Sequence, residues 1–191
     1  YDAPLSSDVA GIAAPVSGWL KVSESADDVA RDGAEAVQAS MGPPGQVASL
    51  ILPADTAWNR TEAQADPLPK IAAQPVDTAG VESVAKALHS GKPAAILMNG
   101  VLTEERLVLA NKIAQKTGAR IISDTFISRM RRGAGIPEIL RLPYFGEQAA
   151  EVLEGVKHLI LVSSQPPITF FAYPDKPNWL TPENCQIHSL V

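Results

Sequence analysis

The feature that most constrains the fold is a regular alternation of amphipathic helices and short apolar strands after residue 76. In the helices apolar residues recur at spacings of three and four, whereas residues 94–98 and 159–162 are short, continuous apolar runs. Helices are predicted over residues 80–90, 103–118 and 146–156, and strands over residues 94–98, 119–123, 159–162 and 186–191. Such alternation predicts parallel strands joined by right-handed crossovers. The fold class is therefore α/β, with a doubly wound, mainly parallel sheet.

Before residue 76 the sequence predicts only part of a second α/β domain. A helix is predicted over residues 23–40, with Ser25 and Asp28 as a loose capping box, and a strand over residues 46–52. One helix and one strand are too little for a domain, and the chain opens with Tyr1 rather than Met, so we expect a fragment of a longer protein. The polar, proline-rich residues 59–75 are predicted to link a partial domain, 1–58, to a whole domain, 76–191.

Charge and hydropathy exclude several classes of partner. The chain has 16 Lys plus Arg against 21 Asp plus Glu, a net charge of -5, and its cations are dispersed. Binding of a polyanion needs clustered cations, so we expect no nucleic-acid partner. No apolar stretch approaches the roughly 20 residues that cross a bilayer, so we expect no membrane span. The single cysteine, Cys185, cannot form an intrachain disulfide, which favours a reducing compartment, the cytoplasm.

Polar residues follow the predicted strands, at the edge where parallel sheets bind ligands. Asn99 and Gly100 follow the first central strand, Asp124 and Thr125 follow the second, and Arg129 lies a few residues further on. These five residues are the candidate ligand contacts. The loop at Asn99 lacks the G-x-G-x-x-G pattern that gives a pyrophosphate bare backbone amides. We therefore expect no tightly bound flavin and no standard dinucleotide site, and we place any weaker ligand at these strand ends.

Next to this edge, an arginine cluster and two glycines leave two interpretations open. Arg129, Arg131 and Arg132 could pair with phosphate or carboxylate groups, or could form an exposed or interface-facing cluster. Gly133 and Gly135 could belong to a phosphate-binding loop, or could occupy a turn that requires positive φ.

The remaining reactive residues do not form a catalytic set. His89, His158 and His188 are far apart in the sequence, without a partner at metal-ligand or triad spacing, so each is interpreted as structural. Cys185 has no neighbouring cation to lower its pKa and is interpreted as a packing residue. The aromatic residues 170–173 either pack as a loop or face a neighbouring domain.

The order of these segments resembles the thiamine diphosphate-dependent enzymes, over essentially the whole chain. The amino-terminal part is similar to the last third of their pyrimidine-binding domain, and the rest to their central, Rossmann-like domain. Several segments closely resemble the subgroup of acetolactate synthase large subunit-like proteins. The segments that carry the resemblance are residues 1–8, 15–19, 50–55, 118–124, 129–135, 141–145 and 170–174.

The resemblance implies a homo-oligomeric parent enzyme that uses thiamine diphosphate and Mg²⁺ to make or break a bond next to the carbonyl of a 2-oxo acid. The family's catalytic Glu would lie upstream of Tyr1, and its Gly-Asp-Gly metal motif downstream of Val191; no Gly-Asp-Gly occurs in the chain. This portion is therefore expected to bind no cofactor and to be inactive alone, serving as scaffold, subunit interface and wall of the substrate channel. Two alternatives stay open: a free-standing nucleotide-binding or regulatory α/β module, and an interaction protein.

Overall fold

The computed structural model describes residues 4–190, and it divides the chain into two compact units, Tyr1–Pro75 and Val76–Val191. Between residues 60 and 77 the chain forms no helix or strand. This irregular stretch contains most of the segment that the sequence predicts as a linker. Its role as a linker stays a prediction.

The first unit is built around a pair of parallel strands. Helix α1 (Val9–Ala13) and a 3₁₀ turn (Ala14–Val16) precede β1 (Trp19–Val22), and α2 (Val29–Met41) connects β1 to β2 (Ala48–Ile51), which α3 (Ala54–Trp58) follows. The sequence analysis missed β1, whose four residues include a lysine. It also began α2 too early. The Ser25 hydroxyl donates to the Asp28 carboxylate at 2.6 Å rather than accepting from a helix amide, and these residues form a turn before the helix.

A buried carboxylate joins α2 to β1. Asp32 lies on the strand-facing side of the helix with its side chain only 1% exposed. It accepts from Lys21 Nζ at 2.8 Å, from Ser23 Oγ at 2.9 Å and from Arg31 Nη2 at 3.2 Å. The hydrogen bond from Lys21 is the largest cause of the lowered pKa of Asp32, and those from Ser23 and Arg31 act in the same direction, while burial opposes them. The carboxylate is therefore kept ionised inside the unit.

The second unit contains one five-stranded sheet in which every neighbouring pair is parallel. The strand order is β7-β5-β3-β8-β9, and β4 and β6 form a separate two-stranded ribbon. The predicted strands at 94–98, 119–123 and 159–162 lie in this one sheet, so the predicted fold class is confirmed. The elements are α4 (Thr78–Leu88), β3 (Ala94–Met98), β4 (Val101–Leu102), α5 (Glu104–Thr117), β5 (Arg120–Ser123), β6 (Arg129–Met130), β7 (Leu140–Arg141), α6 (Gly146–Leu153), β8 (His158–Val162) and β9 (Gln186–Leu190).

Strand β3 is buried on both faces, as a central parallel strand must be. Because side chains alternate along a strand, its residues divide between two cores. Ala94, Ile96 and Met98 pack with residues of α4 and α5, whereas Ala95 and Leu97 pack with residues of α6. Helices therefore cover both faces of the sheet, and the polar residues that follow each strand lie together at one edge.

Helix α5 has the two ends that the sequence predicts. The Thr103 hydroxyl accepts from the amide of Arg106 at 3.4 Å, and Gly118 ends the helix in the left-handed region with φ of 74°. The predicted bounds were less accurate for α4, which begins two residues earlier, and for α6, which ends at Leu153 rather than at residue 156. Among the helices of residues 4–190, none combines the length and the hydropathy needed to cross a membrane.

Candidate functional site

The candidate site is the edge of the large sheet where β3, β5 and β8 end. Backbone hydrogen bonds continue beyond the strands: the amide of Asn99 donates to Val162 at 3.1 Å, and the amide of Asp124 donates to Met98 at 2.8 Å. These bonds fix the first residue after each strand. Asn99 and Asp124 therefore lie at the carboxyl ends of adjacent strands, where ligands of α/β proteins bind.

Asp124 and Thr125 are held by contacts within this edge. The Ser164 hydroxyl, which follows β8, donates to Asp124 Oδ2 at 3.0 Å, and the amide of Phe126 donates to Asp124 Oδ1 at 3.2 Å. The Thr125 hydroxyl donates to the carbonyl of Leu142 at 2.9 Å. The sequence analysis did not predict this link. The result is a half-buried carboxylate of fixed orientation.

The loop after β3 is short and leads into β4, which pairs with β6. Gly100 has φ of 81°, a conformation that favours glycine. The next two residues form β4, and its Val101 pairs with Arg129 of β6. The amide of Arg129 also donates to the carbonyl of Gly100, at 3.4 Å. The loop therefore runs directly into a two-stranded ribbon.

Four of the five predicted contact residues, all except Gly100, border three different cavities. Asn99 lines a mostly apolar cavity of about 400 Å³. Asp124 and Thr125 line one of about 280 Å³. Arg129 lines one of about 440 Å³ that also contains Glu104 and Glu105. The edge thus offers separate small sites, and the roles of these residues in binding stay predictions.

The arginine cluster next to this edge is exposed. Arg129, Arg131 and Arg132 are all open to solvent. Gly133 and Gly135 have φ of 139° and 80°, as expected for the turn interpretation.

Aromatic rings surround the Asp124 cavity on its outer side. Phe170 contacts three other rings of the group: its ring centroid lies 5.3 Å from Phe126, 5.5 Å from Tyr144 and 4.8 Å from Phe171. Tyr173 extends the group by contacting Phe171 at 5.6 Å. All five side chains are at least 40% exposed. Contiguous apolar surface of this kind marks a contact region rather than a self-contained core.

His158 and His188 are neighbours in the structure, although the sequence analysis treats them as separate structural residues. His158 Nδ1 lies 3.1 Å from His188 Nε2, because β8 and β9 are adjacent parallel strands. Burial lowers the pKa of His188, and the nearby His158 lowers it further. In residues 4–190 the buried Nε2 of His158 has no hydrogen-bond partner. These surroundings favour the neutral imidazole of His188.

The His, Cys, Asp and Glu side chains of residues 4–190 lie apart from one another in groups too small to ligate a metal ion alone. No group of three or more His, Cys, Asp or Glu side chains converges anywhere in the part of the chain that the structure describes. Burial raises the pKa of the Cys185 thiol, as expected for a packing residue rather than a thiolate. We therefore assign no step of catalysis to these residues.

Comparison with solved structures gives the class to which this fold is similar. A thiamine diphosphate-dependent 4-hydroxybenzoylformate decarboxylase of Rhodococcus jostii RHA1 matches with a TM-score of 0.68 and 17% identity, over 95% of this chain and 35% of that chain. A benzoylformate decarboxylase from Polynucleobacter necessarius matches with a TM-score of 0.70 and 17% identity, over 97% and 35%. At such identity the likeness shows the fold alone. No family model matches the chain.

A sequence relative gives the finer relationship. A Mycobacterium tuberculosis protein that carries the name of an acetolactate synthase large subunit, IlvX, is 46% identical over 193 residues, covering 100% of this chain. The chain spans 37% of the length of that relative. The resemblance to the acetolactate synthase large subunit-like group of thiamine diphosphate-dependent enzymes is thus confirmed along the whole chain.

Proposed function

We propose that this chain is part of a thiamine diphosphate-dependent enzyme of the acetolactate synthase type, acting on 2-oxo acids. The observation that carries the proposal is the 46% identity to IlvX along the full length of the chain. The parallel α/β fold shared with two thiamine diphosphate-dependent or benzoylformate decarboxylase structures supports it.

Within such an enzyme the chain provides support rather than chemistry. We assign residues 1–58 to the end of the pyrimidine-binding domain, 59–75 to a linker and 76–191 to the central domain. The exposed aromatic group around Phe170 supports contact with another domain or subunit and a part in the channel wall. Thiamine diphosphate and Mg²⁺ would be held by other parts of the parent, which we place in the cytoplasm as a homo-oligomer.

We propose that the residues at the strand ends contact small ligands, which bind less tightly than an enzyme-bound flavin would. Asn99, Gly100, Asp124, Thr125 and Arg129 are the proposed contacts. Asn99, the pair Asp124 and Thr125, and Arg129 border three separate cavities, which supports small ligands at individual strand ends rather than one extended dinucleotide. The purified protein should be colourless, and a yellow preparation that releases flavin on denaturation would contradict this part of the proposal.

The experiment that tests the function compares the 191-residue chain with the product of the complete gene. The complete protein should contain a Glu before the segment and a Gly-Asp-Gly motif after it, and should consume 2-oxo acids only with thiamine diphosphate and Mg²⁺. The chain alone should give no heat on titration with the same cofactors. Micromolar binding by the chain, about -8 kcal/mol, would overturn the assignment, as would a complete gene that lacks both motifs.

A further inference from the structure

A mostly apolar recess of the second unit lies between α4 and α5, on the face of the sheet formed by β3 and β8. We call it the α4–α5 cleft. Its volume is about 400 Å³, within the range of small-molecule sites. Its floor is Ile96, Met98 and Ile160, each less than 8% exposed, and its rim is formed on α5 by Leu109 and Ile113. The cleft therefore reaches into the core rather than lying on the surface.

Polar groups occur only at one end of the cleft. Asn99 and Ser163 lie there, at the carboxyl ends of β3 and β8, together with Arg106. This is the point where the order of the sheet reverses, since the chain runs from β3 outward to β5 and β7 and then returns to β8 on the other side. Ligands of doubly wound sheets bind at such a point. The cleft thus has an apolar body and a polar mouth.

Among the described residues that line this cavity, Arg106 is the one that carries a charge. Its Nη1 donates to the carbonyl of Val101 at 2.6 Å, which anchors the guanidinium and leaves its other N–H groups free to bind a ligand. Within residues 4–190 no carboxylate lies within ion-pair distance of Arg106. The neighbouring Glu104 and Glu105 line a different cavity. The charge at the mouth is therefore positive.

We propose that the α4–α5 cleft binds an amphipathic monocarboxylate, with its aliphatic chain against Ile96, Met98 and Ile160 and its carboxylate on Arg106. An apolar body with one unpaired cation selects an anion with an aliphatic tail. Such a cleft disfavours an amino acid, because the lining residues that the structure describes include no carboxylate to receive the ammonium group. This inference goes beyond the proposed function, since it requires neither thiamine diphosphate nor a second domain.

The test is calorimetric titration of the 191-residue chain with octanoate, octanol and octylamine. Octanoate should bind saturably at one site, more tightly than the alcohol, and octylamine should not bind. Arg106→Gln should weaken octanoate at least tenfold and leave octanol unchanged. Lys112→Gln is the matched control, because Lys112 is an exposed cation on the same helix outside the cleft, and it should change neither affinity.

Methionine methyl resonances provide the second measurement, which locates the site. Octanoate should shift the Met98 signal and leave that of Met41, in the first unit, unchanged. Ala110→Met should weaken both octanoate and octanol, because Ala110 lines the cleft and a larger side chain fills it; circular dichroism would show that the variant is folded. The proposal is wrong if octanoate does not saturate, if Arg106→Gln has no effect, or if the shifts spare Met98. Equal binding of octylamine, or concentration-dependent dimers that Ala110→Met abolishes, would overturn it as well.

Discussion

The buried carboxylate of Asp32 allows the sharpest test of how the first unit is held together. Asp32→Asn keeps the size of the side chain but removes the charge that Lys21 and Arg31 neutralise. The amide can still accept a hydrogen bond from the buried hydroxyl of Ser23. The substitution therefore removes the ionic part of the cluster and leaves the packing in place.

The expected loss of stability on Asp32→Asn depends on how exposed its charged partners, Lys21 and Arg31, are. Hydrogen bonds to charged groups contribute about 1.5–3 kcal/mol each, and breaking a fully buried ion pair costs about 3–5 kcal/mol. Here only Asp32 is buried, at 1% exposure, whereas the side chains of Lys21 and Arg31 are 33% and 57% exposed and can be solvated by water. The loss should therefore be closer to that of a hydrogen bond to a charged group than to that of a fully buried ion pair. We expect Asp32→Asn to lower the free energy of unfolding by about 2 kcal/mol.

The assay is urea unfolding followed by the fluorescence of Trp19 and Trp58, both in the first unit. Trp179 belongs to the second unit and is exposed, so Trp179→Phe provides a background in which the signal reports the first unit alone. The matched control is Asp28→Asn, which removes a carboxylate from the same Arg31 at a more exposed position and should have a much smaller effect.

The dependence on pH supplies an independent check on Asp32. Its pKa is lowered in the folded state, mainly by Lys21, so its contribution is present above the unfolded pKa of about 3.9 and is lost as pH falls through the folded value. The difference between wild type and Asp32→Asn should therefore be constant near neutrality and shrink below about pH 4. A difference that stays below about 0.5 kcal/mol at pH 7, or that grows on acidification, would refute the reasoning.

Three further predictions concern the pH response, the glycines and the core. Burial and the neighbouring His158 lower the pKa of His188 in the folded protein. Stability should therefore fall as the pH drops below the pKa of about 6.5 that a histidine has in the unfolded chain. His188→Gln should flatten that decline in thermal melts at pH 5–8. Gly118→Ala should destabilise by about 1 kcal/mol because φ is 74°, whereas Gly33→Ala, inside α2 with open space around it, should stabilise by about 0.5–1 kcal/mol in urea titrations. Leu153→Ala should cost about 2–5 kcal/mol in the same assay, because this side chain is fully buried beneath the sheet.

The parts of the fold that the sequence predicts are those specified by neighbouring residues. Helix α5 has a threonine cap and a terminal glycine within its own segment, and β3 is a continuous apolar run. Strand β1 was missed because Trp19–Val22 is short and contains a lysine whose charge is neutralised only after α2 packs against it. The start of α2 was wrong because the hydroxyl of Ser25 bonds to a side chain instead of a helix amide.

The sequence predicts where the candidate site lies, but it does not predict that the site is divided into separate cavities. The ends of β3 and β5 place Asn99 and Asp124 at one edge, as the alternation of helices and strands predicts. The link between Asp124 and Ser164 joins residues 40 positions apart, and the contact between His158 and His188 spans 30. Such contacts depend on strand order, which no local pattern specifies. The boundaries of the cavities depend in addition on where α4 and α5 pack.

The charges at this edge argue against a single extended ligand. On one side Asp124 is a fixed carboxylate in a cavity whose lining contains no lysine or arginine. On the other side Arg106 is the one charged residue among those described that line the α4–α5 cleft. A diphosphate laid across the edge would gain from Arg106 but would be repelled by Asp124, whose two oxygens already accept hydrogen bonds from Ser164 and Phe126. Two small ligands of opposite charge would each meet a complementary group, so Asp124→Asn should leave the binding of octanoate in the cleft unchanged.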